Sequence, residues 1–126
     1  MAALKIKTVE QLIEAYKSGQ RIFIELEFED NESFHGKNLS GSTFKNCWFI
    51  ADFTSSNLED CIFIDSNLKT SDFRNSNLRG ATIKNCSVES TSWKGAIVDD
   101  FCFENNFHYG AIIGQIDFMN HFINYD

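Results

Sequence analysis

The sequence predicts an all-β chain wound into short coils, with a corner every few residues. Three observations predict it. From Phe53 onward a bulky apolar residue returns at every fifth position: Phe53, Leu58, Phe63, Leu68, Phe73, Leu78, Ile83, Val88, Trp93, Val98 and Phe103. Two residues before these stand small ones (Ala51, Ser56, Cys61, Ser66, Ser71, Ser76, Ala81, Cys86, Thr91 and Ala96), and Phe101 is the one break. Proline is absent from all 126 residues, although 43% of them are apolar. Proline would delete a donor from a strand ladder, and so apolar a composition excludes a disordered chain. A period of five suits neither a helix nor an ordinary strand. Each unit therefore turns a corner, with its large and small residues inward and three others outward.

Taken in order, residues 1–33 read as an N-terminal cap, which a coil stack needs because its end exposes strand edges. Residues 8–18 are predicted as a helix. Thr8 and Gln11 have capping-box spacing, Val9, Leu12, Ile13 and Tyr16 share one face, and Gly19 is the stop. Residues 21–29 alternate as one strand, with Ile22, Ile24, Leu26 and Phe28 on one face and Glu25, Glu27 and Glu29 protecting the edge. Residues 34–118 are read as the coils. Phe34, Leu39, Phe44 and Phe49 keep the period, with Ser42 and Cys47 at small positions. The four-residue step from Phe49 to Phe53 marks a residue deleted at a corner. Glu32 and Lys37 stand at small positions, which predicts a loose first coil. After an irregular unit near Phe107 and His108, Ile113 and Phe118 return to register. Residues 119–126 are a cap or tail. The apolar residues from Phe107 through Tyr109, Ile112, Ile116, Met119, Phe122, Ile123 and Tyr125 either complete a last coil or pack against a second copy.

The units SNLED, SNLKT, SDFRN and SNLRG (residues 56–60, 66–70, 71–75 and 76–80) resemble the pentapeptide-repeat family, whose units read roughly A-(D/N)-L-x-x, and the resemblance spans about residues 34–118. It implies a right-handed quadrilateral parallel β-helix with four units per coil. Four to five coils at the roughly 4.8 Å spacing of paired strands give a rod about 20 Å long. Four inward columns follow: Phe34, Phe53, Phe73, Trp93 and Ile113; Leu39, Leu58, Leu78, Val98 and Phe118; Phe44, Phe63, Ile83 and Phe103; Phe49, Leu68 and Val88. These seventeen residues are the expected core. Larger members of the family often dimerise through a C-terminal segment, which the resemblance carries to this tail.

Little in the sequence speaks for chemistry. His35, His108 and His121 are the candidate bases, yet no nucleophile elbow accompanies them. Glu59–Asp60 and Asp99–Asp100 are carboxylate pairs on one face, but a convex face offers no cleft. Cys102, His108 and His121 match no zinc spacing. Cys47, Cys61 and Cys86 sit at inward small positions as packing residues, leaving Cys102 as the outward thiol. No catalytic, metal or cofactor site is expected. The absence of a leader-like segment, of a long apolar span and of CxxC pairs predicts a reduced cytoplasmic protein that does not enter membranes.

The chain carries 18 acidic against 11 basic side chains, net −7, which argues against direct nucleic-acid binding. Residues 1–33 hold seven acids and four bases, residues 34–103 eight and seven, and residues 104–126 three acids alone. The leading expectation is a non-enzymatic scaffold for an unidentified protein partner. The resemblance supplies an alternative, the quinolone-resistance members, whose acidic rod imitates duplex DNA on a type II topoisomerase such as gyrase. A mimic wants a continuous negative stripe, whereas this rod is nearly neutral, with Arg79 between Glu59–Asp60 and Asp99–Asp100, and Lys69 facing Glu89. The register is checked by thermal melts of two variants. Ser76→Lys, an inward ammonium, should unfold the protein, while Asn77→Lys, pointing outward, should be nearly neutral.

Overall fold

The computed structural model describes residues 5–124; Tyr125 of the predicted tail lies outside them. The first element forms where the capping box places it. Thr8 Oγ1 accepts from the Gln11 N–H at 3.1 Å, and the Gln11 side chain accepts from the Thr8 N–H. Together they start helix α1, Val9–Lys17. The helix lies over the open end of the coils. Leu12 is fully buried, Tyr16 donates its hydroxyl to Ser40 O at 2.7 Å, and the Arg21 guanidinium sits 3.7 Å over the Tyr16 ring.

The rest winds as a four-sided parallel β-solenoid of about four turns. Strands β1 (Ile22–Ile24), β2 (Glu27–Ser33), β3 (Thr43–Lys45), β4 (Trp48–Asp52), β5 (Ile62–Ile64), β6 (Thr82–Lys84) and β7 (Cys102–Glu104) follow in chain order. One side is a five-stranded parallel sheet, β1-β3-β5-β6-β7. The other sides are held by the parallel β2–β4 pair in the first coils and then by single parallel bridges: Trp48 to Asn67 to Ser87 to Phe107, Asp52 to Asp72 to Ser92, and Asn38 to Asn57 to Asn77 to Ile97.

Corners are made by residues in the left-handed region. From Glu25 (φ 59°) through Asp60 (57°) and Asn75 (60°) to Asn105 (52°), nearly every corner residue has positive φ. Asn, Asp and Gly tolerate that conformation best. At Gly80 (φ +71°) a side chain would in addition run into the Asp60 carboxylate of the coil below. The residue before each bulky position then locks the corner. Asn57, Asn67, Asp72 and Asn77 each accept, through Oδ1, the N–H two residues on, at 3.0–3.1 Å.

The four-residue step is a corner deletion, as its spacing predicts. No residue between Asn46 and Ser55 has positive φ, so β4 runs straight through where a corner would stand. Its neighbour β2 absorbs the difference in a register shift between Phe28 and Glu32, where Asn31 (φ 55°) supplies the turn.

Inside, a coil spacing near 4.8 Å forces equivalent residues onto one another. Phe34, Phe53, Phe73 and Trp93 stack face to face with centroids 5.0, 5.1 and 4.4 Å apart. Phe23, Phe44 and Phe63 form a second stack, at 5.4 and 5.0 Å. Between columns the rings meet edge to face, as for Phe44 and Phe49 (89°) and Phe63 and Phe73 (86°). Both geometries are favourable, at about 0.5–1.5 kcal/mol per pair beyond burial. The small positions satisfy the backbone beside the rings: Ser56 and Ser76 donate to Phe53 O and Phe73 O at 2.6 and 2.7 Å, and Cys61 Sγ reaches Leu39 O at 3.0 Å.

Four expectations are corrected. Residues 21–29 are not a single cap strand. Glu25 turns a corner, so β1 and β2 are two sides of the first coil, pairing with β3 and β4. Phe23, Leu26 and Phe28 point inward while Ile22 (63% exposed) and Ile24 face solvent; the five-residue period overrides the apparent alternation. At the other end the coils stop before residue 118. Strand β8 (Asn106–His108) turns back through Tyr109–Gly110 into β9 (Ala111–Ile113), an antiparallel pair. Ile113 therefore extends no parallel column. Phe118, in the π-helix Phe118–Phe122 that follows the short helix α2 (Gln115–Asp117), lies across the rod's end on Trp93, Phe101 and Phe103, with centroids 4.9–5.3 Å away. Phe101 fits a small position because no coil lies above it. Third, Glu89 binds the Tyr109 N–H rather than facing Lys69 in an ion pair. Fourth, Asn77 is not idle: besides the Arg79 N–H, its amide reaches Asn57 Oδ1 and Glu59 Oε1.

Of the seventeen expected core residues, fifteen are fully buried, and Val98 and Ile113 are half-buried. Equilibrium denaturation should find Phe53→Ala destabilised by about 3–5 kcal/mol. Gly80→Ala should cost about 1–2 kcal/mol, and Asn77→Lys about 1 kcal/mol through its lost corner bond.

Candidate interaction surface at the C-terminal end

The two ends of the rod are finished differently. At the N-terminal end α1 covers the core, and Glu25, Glu27 and Glu29 flank the exposed strand edges. At the C-terminal end, side chains answer part of the open ladder. Gln115 Oε1 accepts the Phe103 N–H at 2.8 Å, and the Asp117 carboxylate accepts the Gly114 N–H at 2.9 Å. The buried Asn106 accepts from Cys86 N and donates to Ile83 O, at 2.9 and 3.0 Å.

The β8–β9 turn explains what is left exposed. Tyr109 and Gly110 both have positive φ (48° and 82°), the requirement of the two-residue hairpin turn that follows strand twist. Phe107 spends its N–H on Cys86 O and its C=O on the Val88 N–H, both in the coil below. Its cross-strand partner Ile112 is then a non-hydrogen-bonded pair, so the N–H and C=O of Ile112 point off the free edge of β9. Apolar side chains surround that edge: Ile112 is 67% exposed, Ile116 76% and Tyr109 71%, with Phe107 and Met119 also exposed.

The candidate chemical residues do not assemble into a reactive site. His35 Nδ1 lies 2.7 Å from Thr54 Oγ1, whose hydroxyl donates to Asp52 at 2.6 Å; this exposed group is remote in sequence from the other histidines. His108 and His121 border one hollow of about 560 Å³, with Tyr109 and Phe122, but Cys102 lies away from it in β7. Among the described residues no three His, Cys, Asp or Glu side chains are placed to hold a metal ion. Arg79 pairs with Asp99 at 3.1 Å, and Asp60 and Asp100 are corner residues in the left-handed region. Asp72 is held below the usual carboxylate range. Partial burial pushes it up, but the Arg74 side chain at 2.7 Å and the Arg74 N–H outweigh that. The hollow and the edge at Ile112 escaped sequence reading because both depend on the hairpin reversal. The Tyr109–Gly110 dipeptide between apolar residues was the available signal.

The cysteines are unpaired. Burial pushes Cys47 up to about 11, and Cys61 and Cys86 up to about 12. Cys102 is also raised, by its smaller burial and by Glu104. Among the described residues no helix is long and apolar enough to cross a membrane.

Residues 37–111 match a family model described as pentapeptide repeat region. Among solved structures the chain is similar to HetL, a pentapeptide repeat protein involved in heterocyst differentiation regulation from the cyanobacterium Nostoc sp. strain PCC 7120. The TM-score is 0.61 at 15% identity, over 80% of this chain and 45% of HetL. It is also similar to alr5209, a pentapeptide repeat protein from Nostoc PCC 7120, with TM-score 0.50 and 21% identity over 88% of each chain. QnrB1, a plasmid-mediated fluoroquinolone resistance protein, aligns with TM-score 0.49 and 18% identity over 70% of this chain and 52% of its own. Likeness at these identities concerns the fold. No curated protein sequence matches the chain.

Two thiol measurements follow. Iodoacetamide on native protein should label Cys102 alone, against four sites in denaturant, counted by mass spectrometry. The folded chain keeps the protons of its three buried thiols above the ordinary thiol value of 9.0, where the unfolded chain releases them. The thiol contribution to unfolding free energy should therefore be level below about pH 8 and fall steadily as pH rises past 9.

Proposed function

Since the chain belongs to the pentapeptide-repeat family, we propose that it acts as a non-enzymatic scaffold whose sticky C-terminal end joins it to a second copy of itself, leaving the flat sides of the rod for a further protein partner. One observation carries the reading, the apolar edge around Ile112, whose backbone donor and acceptor are unspent among the described residues. A two-fold copy meets that edge with its own β9, each Ile112 N–H finding the partner strand. Such edge pairing would bury Ile112 and Ile116 and remove an aggregation liability. The sides of the rod support the passive part of the proposal. Their charges are paired locally, Arg79 with Asp99, Arg74 with Asp72 and Lys84 with Glu104 at 3.9 Å. Exposed pairs of this kind stabilise little. They also interrupt any negative stripe, which counts against imitation of DNA on a topoisomerase.

Sedimentation equilibrium tests the association. Wild type should be dimeric at micromolar concentration. The double variant Ile112→Lys/Ile116→Lys should be monomeric with an unchanged melting temperature. Wild type that stays monomeric at 100 µM, or a variant that stays dimeric, would contradict the C-terminal joint. The passive-rod reading is tested apart from it, by a gyrase supercoiling assay: no effect is expected at micromolar protein, and inhibition or protection would favour the DNA-mimic alternative.

A further inference from the structure

The hollow beside β8 is built as an aromatic box, and we propose that it binds an organic cation of quaternary-ammonium size. Four rings border it, those of His108, Tyr109, His121 and Phe122. His108 packs nearly perpendicular to two of them, at 84° and 4.8 Å from Tyr109 and at 88° and 4.9 Å from Phe122. Aromatic faces are electron-rich and their edges electron-poor, so rings turned toward one space from different sides offer faces to a cation too diffuse for a single carboxylate. The π-helix Phe118–Phe122 brings Phe122 to this place, and single π turns recur at functional sites. The volume, about 560 Å³, lies in the range of small-ligand sites.

The walls are fixed before any ligand arrives. The Tyr109 hydroxyl lies 2.9 Å from Ser90 Oγ, and the Tyr109 N–H is held by Glu89 Oε2 at 3.1 Å. On the floor, Thr91 donates its hydroxyl to Val88 O and accepts the indole N–H of Trp93, at 2.7 and 2.8 Å.

Charge selects the sign of the ligand. No Lys or Arg borders the hollow, and residues 104–126 contain three acids and no Lys or Arg, with His108 and His121 as their two imidazoles. Glu89, which holds the Tyr109 N–H through Oε2, has its other oxygen, Oε1, enclosed without a hydrogen-bond partner among the described residues. That carboxylate beside the Tyr109 backbone repels an anion and attracts a cation. This site shares Tyr109 with the Ile112 edge but is lined by one copy alone and does not depend on self-association.

Choline titration followed by ¹H–¹⁵N NMR tests the proposal. The Trp93 indole N–H, bonded to the floor, is the reporter, and the Trp48 indole, two coils away, is the internal control. Choline should shift the Trp93 signal saturably with a Kd in the low millimolar range or tighter, leaving Trp48 still. The neutral isostere 3,3-dimethylbutan-1-ol should bind at least tenfold more weakly. Tyr109→Ala should weaken choline at least tenfold without moving the melting temperature, and Tyr109→Phe by less than threefold. A peptide carrying trimethyllysine separates the sources: tenfold tighter binding than choline assigns the cation to a protein side chain, and equal binding to a free small molecule. No saturable shift at 50 mM choline, equal binding of the neutral isostere, or a Tyr109→Ala variant that binds as wild type would each overturn the proposal.

Discussion

The spacing between coils governs this molecule. Parallel strands lie about 4.8 Å apart, close to the separation at which two aromatic rings stack, and each coil returns the chain to the same lateral position. A residue that points inward must therefore tolerate its counterpart above and below. The Phe34, Phe53, Phe73 and Trp93 column meets that demand with rings 3–14° from parallel. The same spacing leaves room beside each ring only for Ser, Ala, Cys or Thr, and it asks each corner to turn within one left-handed residue. Sequence period, small positions, corner residues and the missing proline are consequences of one distance.

Where that constraint holds, the sequence was readable residue by residue. The columns from Phe44 to Ile83 and from Phe53 to Trp93 follow from counting by five, and the Phe49–Phe53 step shows the deleted corner. The reading failed where a second pattern overlay the first. In the segment Ile22–Phe28 the apolar residues alternate as well as repeat, and alternation suggested a flat strand, while the structure buries Phe23 and Phe28 on the rings of Phe44 and Phe49. It failed again after Asn105, where Ile113 and Phe118 fall in register by number. A hairpin turn at Tyr109–Gly110 reverses the chain there, and reversal cannot be seen in a count. The candidate site lies in that reversed part, which is why its edge and its hollow were not foreseen, although the apolar tail that forms them was.

The ends carry what the sides lack. Along the rod most polar groups find a partner in their own unit or in the next coil, as Asn105, Asn85 and Asp65 do in a corner ladder at 2.6 and 3.2 Å; Ser42 Oγ and Glu89 Oε1 are buried exceptions. Such internal satisfaction makes a stiff and chemically quiet body. At the C-terminal end the repeat stops, and the hairpin and π-helix that close it create concavity, unspent backbone groups and exposed apolar surface in one place. A rod whose interior is closed by stacking can still be specific at its terminus.

The central claim is that the ring columns join all coils into one cooperative core. Native-state hydrogen exchange tests it most directly. The amides of Phe63, Asn67, Phe73, Asn77 and Thr82, all bonded between coils, should exchange with one common free energy equal to that of global unfolding. Middle-coil amides that exchange through separate, cheaper openings than those at either end would contradict it.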